Sequence, residues 1–263
     1  KTFDAIKTHE QLNVYIDEHI MEDAHNFILI DEVQEIEGWE KSVRNYRLED
    51  DTDIIITGSN SKMLSSELST LIGGRYQEIY IQSLSYQEFI LFHGLEEGDD
   101  ALLKYINYGG LPGLKQIGLD DEELVWDYIK GVYHTVVLKD IVERNSIRNM
   151  ALLNTLLRYF ADTTGKLCSL NNISKLMKSQ GQDVAVKSIS SYLSYLKDAY
   201  LLSTADRYDI HGKKLLESNE KLYFGDIGIR NLIAGGEREG DIEKIVENIV
   251  FQQLLRMGYT VNV

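Results

Sequence analysis

The stretch Phe27-Ile28-Leu29-Ile30-Asp31-Glu32 decides how this chain is interpreted, because four apolar residues run directly into two carboxylates. An apolar run without alternation is typical of a parallel strand covered on both faces, and open α/β sheets bind ligands at the carboxyl ends of such strands. We therefore predict a hydrolytic metal site in which Asp31 holds Mg²⁺ and Glu32 activates the attacking water. The alternative is a strand followed by two solvated acids, since short motifs often match by chance.

A second apolar strand, Asp53 to Thr57, leads into the turn Gly58-Ser59-Asn60. A hydroxyl or amide in this turn could orient the water or touch the terminal phosphate, with Ser59 the first choice and Asn60 the next. The alternative for both is helix capping, which Ser and Asn favour. Arg75 follows two glycines, which suits a guanidinium that reaches a phosphate in its own or a neighbouring subunit, and its alternative is a surface ion pair.

The predicted site needs a glycine-rich loop that cradles phosphates, and the sequence contains no such motif. Glycine-lysine pairs occur only at Gly165-Lys166 and Gly212-Lys213, and neither is followed by Ser or Thr. We expect the loop to lie upstream of Lys1, which would make the chain a fragment that binds ATP weakly or not at all. Mg²⁺ and ATP are then expected for the full-length protein, and no cofactor is firmly implied for the fragment.

Composition indicates an ordinary globular protein, with 43% hydrophobic and 26% charged residues. The single cysteine, the absence of a secretory signal and the lack of a long apolar run predict a cytoplasmic protein without a membrane segment. The net charge of -15 is uneven, because residues 1–150 carry 13 basic against 29 acidic side chains and residues 151–215 carry nine against five. Any contact with nucleic acid should therefore involve residues 151–215.

The order of elements predicts an α/β fold with a parallel sheet, since helical segments alternate with the two apolar strands. Residues 8–21 have helical spacing, residues 62–72 form a short helix, and Tyr76 to Ile81 alternates as a third strand would. Ser85 and Glu88 have the spacing of a capping box. The cluster Gly109-Gly110-Leu111-Pro112-Gly113 is the best candidate for a linker before helical residues 120–164.

The second half of the chain has the pattern of a winged helix. Three helical segments, at 151–163, 169–179 and 184–199, precede two strands near 203–210 and 215–224. The third helix and the hairpin tip carry groups suited to phosphate contacts on DNA, namely Lys187, Ser188, Ser191, Tyr192, Lys213 and Lys214. The alternative is a winged helix used only for packing or oligomerisation, because the segment carries little positive charge.

Taken together, a set of ordered motifs resembles the AAA-type ATPases of the P-loop superfamily that carry a C-terminal domain of unknown function. These motifs are Ile28-Leu-Ile-Asp-Glu-Val-Gln34 with Gly38-Trp39, Ile56-Thr-Gly-Ser-Asn-Ser61, Gly74-Arg75, Leu84-Ser-Tyr-Gln-Glu-Phe89, Gly109-Gly-Leu-Pro112 and Leu138-Lys-Asp-Ile-Val-Glu-Arg144. The resemblance implies that Asp31 and Glu32 are the Walker B pair, that Ser59 or Asn60 is the sensor, and that Arg75 is an arginine finger. It also implies that a Walker A loop and a nuclease-like end lie outside this chain.

We accordingly predict a partial ATPase core with a small helical extension at 1–110, a helical and winged-helix domain at 111–230, and the start of a nuclease-like region at 231–263. The predicted function is ATP hydrolysis that is coupled to the winged-helix module. Two alternatives involve no turnover: a DNA-binding module, and a defence- or toxin-related module that binds protein partners. Self-association is compatible with each of them.

Overall fold

The computed structural model describes residues 5–48, 51–59, 76–207, 220–236 and 240–263. Within it the chain divides into two compact units, residues 1–79 and residues 80–263. The predicted divisions at residues 110 and 230 remain predictions.

The first unit is an α/β arrangement built on two parallel strands. Its elements are α1 (His9–Asp17), β1 (Asn26–Ile30), a 3₁₀ turn (Val33–Glu35), α2 (Trp39–Tyr46) and β2 (Thr52–Ile56). Thr8 and Gln11 form a capping box that fixes the start of α1. The predicted α/β class with parallel pairing is confirmed.

Only one face of this small sheet packs against the core in the part of the chain that the structure describes. Alternate residues of both strands, Ile28, Ile30, Ile54 and Ile56, join a cluster with α1 and α2. On the other face Phe27, Leu29 and Ile55 are 65%, 70% and 53% exposed. The expectation that both faces are covered is therefore not met among the described residues.

The prediction of a third strand at Tyr76 to Ile81 is wrong. This segment is irregular, and Ile79 and Ile81, which were to form its buried face, are 72% and 89% exposed. Alternating apolar residues alone do not form a strand, because a strand is stabilised by pairing with a neighbouring strand and by burial of one face. The helix predicted at 62–72 lies outside the described residues.

The second unit is mostly helical. Its elements are α3 (Tyr86–His93), α4 (Asp99–Tyr108), α5 (Leu114–Ile117), α6 (Glu122–Thr135), a π-helix (Val136–Glu143), α7 (Met150–Asp162), β3 (Leu167–Cys168), α8 (Leu170–Ser179), α9 (Val186–Asp198), β4 (Leu202–Ala205), β5 (Glu220–Phe224), α10 (Ile227–Ala234) and α11 (Ile242–Arg256). The predicted capping box of Ser85 with Glu88 is present at the start of α3. One large apolar cluster runs through these helices.

The glycine cluster after α4 lies inside this unit and does not connect the two units, and its first two residues, Gly109 and Gly110, are buried. The backbone N–H of Gly110 donates to the Asp226 carboxylate at 2.9 Å, and its carbonyl accepts from the N–H of Leu84 at 2.7 Å. A Cβ on Gly110 would lie 2.2 Å from the Leu84 carbonyl oxygen. A side chain is excluded here by close backbone approach, which explains the glycine without a linker role.

The described residues within 150–224 form three helices, α7 to α9, and a three-stranded antiparallel sheet of order β3-β5-β4. The strands predicted near 203–210 and 215–224 correspond to β4 and β5, while residues 208–219 lie outside the described range. The helix and strand order agrees with the predicted pattern. Its assignment as a winged helix remains a prediction.

Residues 259–263 do not form a regular strand. Instead a single bridge joins Asn262 to Asp206. Upstream, the Glu247 carboxylate on α11 accepts hydrogen bonds from Lys221 Nζ at 2.7 Å and from the Tyr223 hydroxyl at 2.8 Å. Among the residues that the structure describes, no helix combines the length and apolar character needed to span a bilayer.

Candidate functional site

The carboxyl ends of β1 and β2 meet at one edge of the small sheet. Ile30 and Ile56 are partners in the parallel register. Backbone hydrogen bonds continue beyond the strands, from Thr57 N–H to the Ile30 carbonyl at 2.9 Å and from Val33 N–H to the Thr57 carbonyl at 3.0 Å. The two residues between Ile30 and Val33, Asp31 and Glu32, are therefore held beside Thr57.

The Thr57 hydroxyl connects the two acidic residues. It donates to Asp31 Oδ1, and its oxygen accepts from the backbone N–H of Glu32 at 3.1 Å. Since a hydroxyl has one hydrogen, these two contacts fix its orientation and require Asp31 Oδ1 to act as an acceptor. Thr57 thus orients the Asp31 carboxylate from the neighbouring strand.

Glu32 has a left-handed backbone conformation, with φ 49° and ψ 50°. This conformation costs a non-glycine residue about 1–2 kcal/mol, because Cβ approaches the following carbonyl. The turn it makes leads into the 3₁₀ segment, where Glu35 N–H donates to the Glu32 carbonyl at 2.9 Å. As a result the side chain of Gln34 returns towards that of Glu32.

Gln34 bridges the first acidic loop to the turn after β2. Its Nε2 group donates to Glu32 Oε2 and to Ser59 Oγ, the latter at 3.3 Å. Asp31 and Glu32 remain exposed, whereas Gln34 is half-buried. The edge of the sheet therefore presents two carboxylates to solvent, each hydrogen-bonded by a neutral side chain.

The donor set fits a magnesium ion of the kind found in nucleotide sites. Within the described residues, no three or more His, Cys, Asp or Glu side chains are grouped to hold a metal ion by themselves. Mg²⁺ in such sites takes one or two carboxylates, and phosphates and water complete its shell. Asp31, oriented by Thr57, can supply one oxygen ligand of this type.

Of the residues predicted for this site, the structure brings together Asp31, Glu32 and Ser59. Asn60 and Arg75 lie outside the described residues. Thr57 and Gln34 also belong to the site, although neither is among the site residues predicted from the sequence. The signal for Thr57 was its position immediately after β2, opposite Asp31, but the signal for Gln34 was only its proximity in sequence.

The predicted DNA-contacting residues differ in their availability. Lys187 is exposed in the first turn of α9, and Ser188 is half-buried. The Ser191 hydroxyl donates to the Lys187 carbonyl at 3.1 Å, and the Tyr192 hydroxyl donates to the Asn149 carbonyl at 3.4 Å. Those two hydroxyls already serve helix α9 and its packing, and Lys213 and Lys214 lie outside the described residues.

Comparison with protein families gives two matches that divide the chain. Residues 1–90 match the family described as an AAA domain, and residues 99–239 match a domain of unknown function (DUF8612). The second match covers more than half of the chain.

Two curated relatives extend beyond this chain. An uncharacterised protein of Haemophilus influenzae is 38% identical over 241 residues, which cover 90% of this chain and 59% of that protein. Another, from Methanocaldococcus jannaschii, is 33% identical over 254 residues, covering 89% of this chain and 54% of that protein. The chain therefore spans little more than half the length of these relatives.

A search of solved structures finds a similar fold in a Walker-type ATPase of Pyrococcus abyssi. The TM-score is 0.54 at 15% sequence identity, and the match covers 79% of this chain and 62% of the other. At this identity the similarity concerns the fold alone.

Proposed function

Because the chain belongs to the family of AAA-type P-loop ATPases that carry a C-terminal domain of unknown function, we propose that its first unit contributes the magnesium-binding and water-activating residues of an ATP hydrolase. The observation that carries this proposal is the hydroxyl of Thr57, which orients Asp31 through its side chain and Glu32 through its backbone. This arrangement joins the ends of two neighbouring strands. Two surface acids without a shared role would not need such a contact.

Asp31 is the residue we assign to the metal. The hydroxyl of Thr57 donates to Oδ1 and holds the carboxylate in one orientation. A bound Mg²⁺ would neutralise charge that develops on the β- and γ-phosphate oxygens during hydrolysis. Asp31 and Thr57 would orient that ion from the sheet edge.

Glu32 is the residue we assign as general base. Its side chain is exposed at the sheet edge, where water reaches it, and its backbone has a strained left-handed conformation. Strained non-glycine residues concentrate at functional sites when the surrounding hydrogen bonds enforce the conformation. Ser59, Asn60 and Arg75 are proposed, from the resemblance, to contact the phosphates.

The second unit is proposed to be the part that responds to the nucleotide state. Three helices with an antiparallel sheet support its interpretation as a winged helix. Lys187, exposed in the first turn of α9, supports DNA as a second candidate ligand, because recognition helices present their N-terminal residues to the groove.

The test is ATP turnover by the full-length protein, compared with Glu32→Gln and Asp31→Asn variants. Loss of a general base costs on the order of 10²–10⁴-fold in kcat, and we expect Glu32→Gln to fall in this range with ATP still bound. Asp31→Asn should instead raise the Mg²⁺ concentration needed for half-maximal rate. Glu37→Gln, an exposed acid in the same segment, serves as the control. Undiminished turnover by Glu32→Gln would refute the assignment of the base.

A further inference from the structure

Gln34 connects two parts of the candidate site. Its amide donates one hydrogen bond to the Glu32 carboxylate and a second, of 3.3 Å, to the hydroxyl oxygen of Ser59. Glu32 follows β1 and Ser59 follows β2, so this one side chain joins the ends of both strands. The contact depends on the left-handed turn at Glu32, which brings positions 32 and 34 together.

The chemistry of the partners fixes the orientation of the amide. An ionised carboxylate only accepts hydrogen bonds, so the Gln34 atom that faces Glu32 must be the donor Nε2. Both Nε2 hydrogens are then used, on Glu32 and on Ser59. Ser59 accepts in this contact, and its own hydroxyl hydrogen points elsewhere.

The oxygen of the Gln34 amide is also informative about this position. Gln34 Oε1 is buried and has no hydrogen-bond partner among the residues that the structure describes. Burying an unpaired amide oxygen is unfavourable, and an apolar residue of similar size would avoid it. Packing alone therefore does not explain a glutamine at position 34, whereas the two hydrogen bonds that its Nε2 group donates do.

We infer that Gln34 is a positioning residue that fixes the carboxylate of Glu32 and ties its orientation to Ser59, so that contact of Ser59 with a phosphate is transmitted to the base. This inference rests on the proposed function, because it assigns a means of control to the same site. Gln34 acts through Glu32 and needs no contact with the nucleotide.

The experiment uses steady-state ATP hydrolysis by the full-length protein. Gln34→Ala should lower kcat about 10- to 100-fold, the range typical of residues that orient a catalytic or metal-binding side chain through a hydrogen bond, with KM for ATP changed less than about twofold. Gln34→Glu keeps the shape but places an acceptor against the Glu32 carboxylate, and it should be at least as impaired. Gln77→Ala, an exposed glutamine of the same unit, is the matched control and should behave as wild type.

Two further comparisons separate positioning from a structural role. In the Glu32→Gln background, Gln34→Ala should cause no further loss, because its route to the reaction is already removed. Ser59→Ala and Gln34→Ala should be non-additive, the double variant being close to the worse single one. Melting temperature and nucleotide affinity, measured on every variant, should stay near wild type.

The outcomes distinguish the inference from the function on which it rests. If Glu32→Gln turns over ATP like wild type, the proposed base is wrong and the role of Gln34 is lost with it. If Glu32→Gln is inactive but Gln34→Ala keeps full kcat, only the inference is overturned. Additive losses of Gln34→Ala and Glu32→Gln, or a change confined to KM, would also overturn it.

Discussion

At the scale of single residues, the cluster Gly109-Gly110-Leu111-Pro112-Gly113 is important to the structure, but its glycines are needed for close packing and not for a flexible linker. Gly109 has φ 74°, and a Cβ there would lie 2.4 Å from an oxygen of the buried Asp226 carboxylate. Asp226 caps α10 by accepting from the N–H of Ile229 at 3.1 Å, and it also accepts from Gly110. These glycines permit a backbone turn to approach a buried acid, which composition-based linker prediction does not consider.

His93, at the end of α3, gives a pH-dependent prediction. Burial lowers the pKa of His93 below its usual range, and the nearby charge of Lys115 acts in the same direction. The unfolded residue takes up its proton near pH 6.5, whereas the folded residue does so only at lower pH. Between these two pKa values the unfolded chain binds more protons than the folded chain, so acidification should reduce the free energy of unfolding.

We expect acidification to reduce the free energy of unfolding less in His93→Gln than in the wild type, because glutamine does not titrate. Unfolding by urea at several pH values between 7.5 and 5.5 measures the difference between the wild type and the variant. His134→Gln, a change at an exposed histidine on α6, controls for general effects of removing an imidazole. A stability difference between wild type and His93→Gln that stays constant with pH, or that shifts in favour of the wild type as the pH falls, contradicts the prediction.

At the scale of elements, the sequence predicts well where local pattern and packing agree. The apolar run of β1, its parallel pairing and the two acids at its end follow from pattern, because parallel strands place their carboxyl ends at one edge. The same reasoning anticipates Ser59 near the acids. It does not anticipate Gln34, whose position depends on a non-glycine left-handed turn at Glu32 that residue type does not encode.

Helix pattern is similarly incomplete for residues 120–164. They are predicted to be helical, but the structure divides them into α6, a π-helix at Val136–Glu143 and α7. The wider π-turn hardly disturbs a hydrophobic stripe over eight residues, since Val137 and Ile141 are still buried. Apolar spacing therefore reveals the helix but not its change of register.

The joint between α7, α10 and α11 gives a stability prediction. Arg230 is fully buried, donating to the Ala161 carbonyl at 3.0 and 2.9 Å and to Asp241 Oδ2 at 2.7 Å. Burial would raise the pKa of Asp241, but the hydrogen bonds from Lys244 and Arg230 hold that pKa below its usual range. We expect Arg230→Met to destabilise the protein by about 3–5 kcal/mol, because a buried acid and a carbonyl each lose a donor.

Chemical denaturation monitored by circular dichroism measures this loss. Arg148→Met, at an exposed arginine, should change stability by less than about 0.5 kcal/mol. The double variant Arg230→Met with Asp241→Asn should cost less than the two single changes together, because each single change strands the other partner. Strict additivity would show that the two side chains are not energetically coupled.

At the scale of the whole molecule, charge is the feature that limits the partners. The net charge of -15 opposes nucleic acid, and the surplus of basic side chains is confined to residues 151–215. Within that range Lys197 is already paired with Glu220 at 3.3 Å, and the predicted contact hydroxyls of Ser191 and Tyr192 already donate to backbone carbonyls. Any duplex binding should therefore depend on few lysines and be weak at physiological salt.

DNA binding is testable through its salt dependence. Each lysine that neutralises a phosphate contributes about 0.9 to the slope of log affinity against log salt. We expect Lys187→Ala, Lys213→Ala and Lys214→Ala each to weaken binding of a mixed-sequence duplex and to reduce that slope by about 0.9. Lys130→Ala, an exposed lysine on α6 outside residues 151–215, should leave both quantities unchanged. Fluorescence anisotropy at a series of salt concentrations measures both quantities. Affinity that does not change with salt, or no binding at low salt, would exclude phosphate contacts by residues 151–215. Either result would favour a protein partner for the second unit.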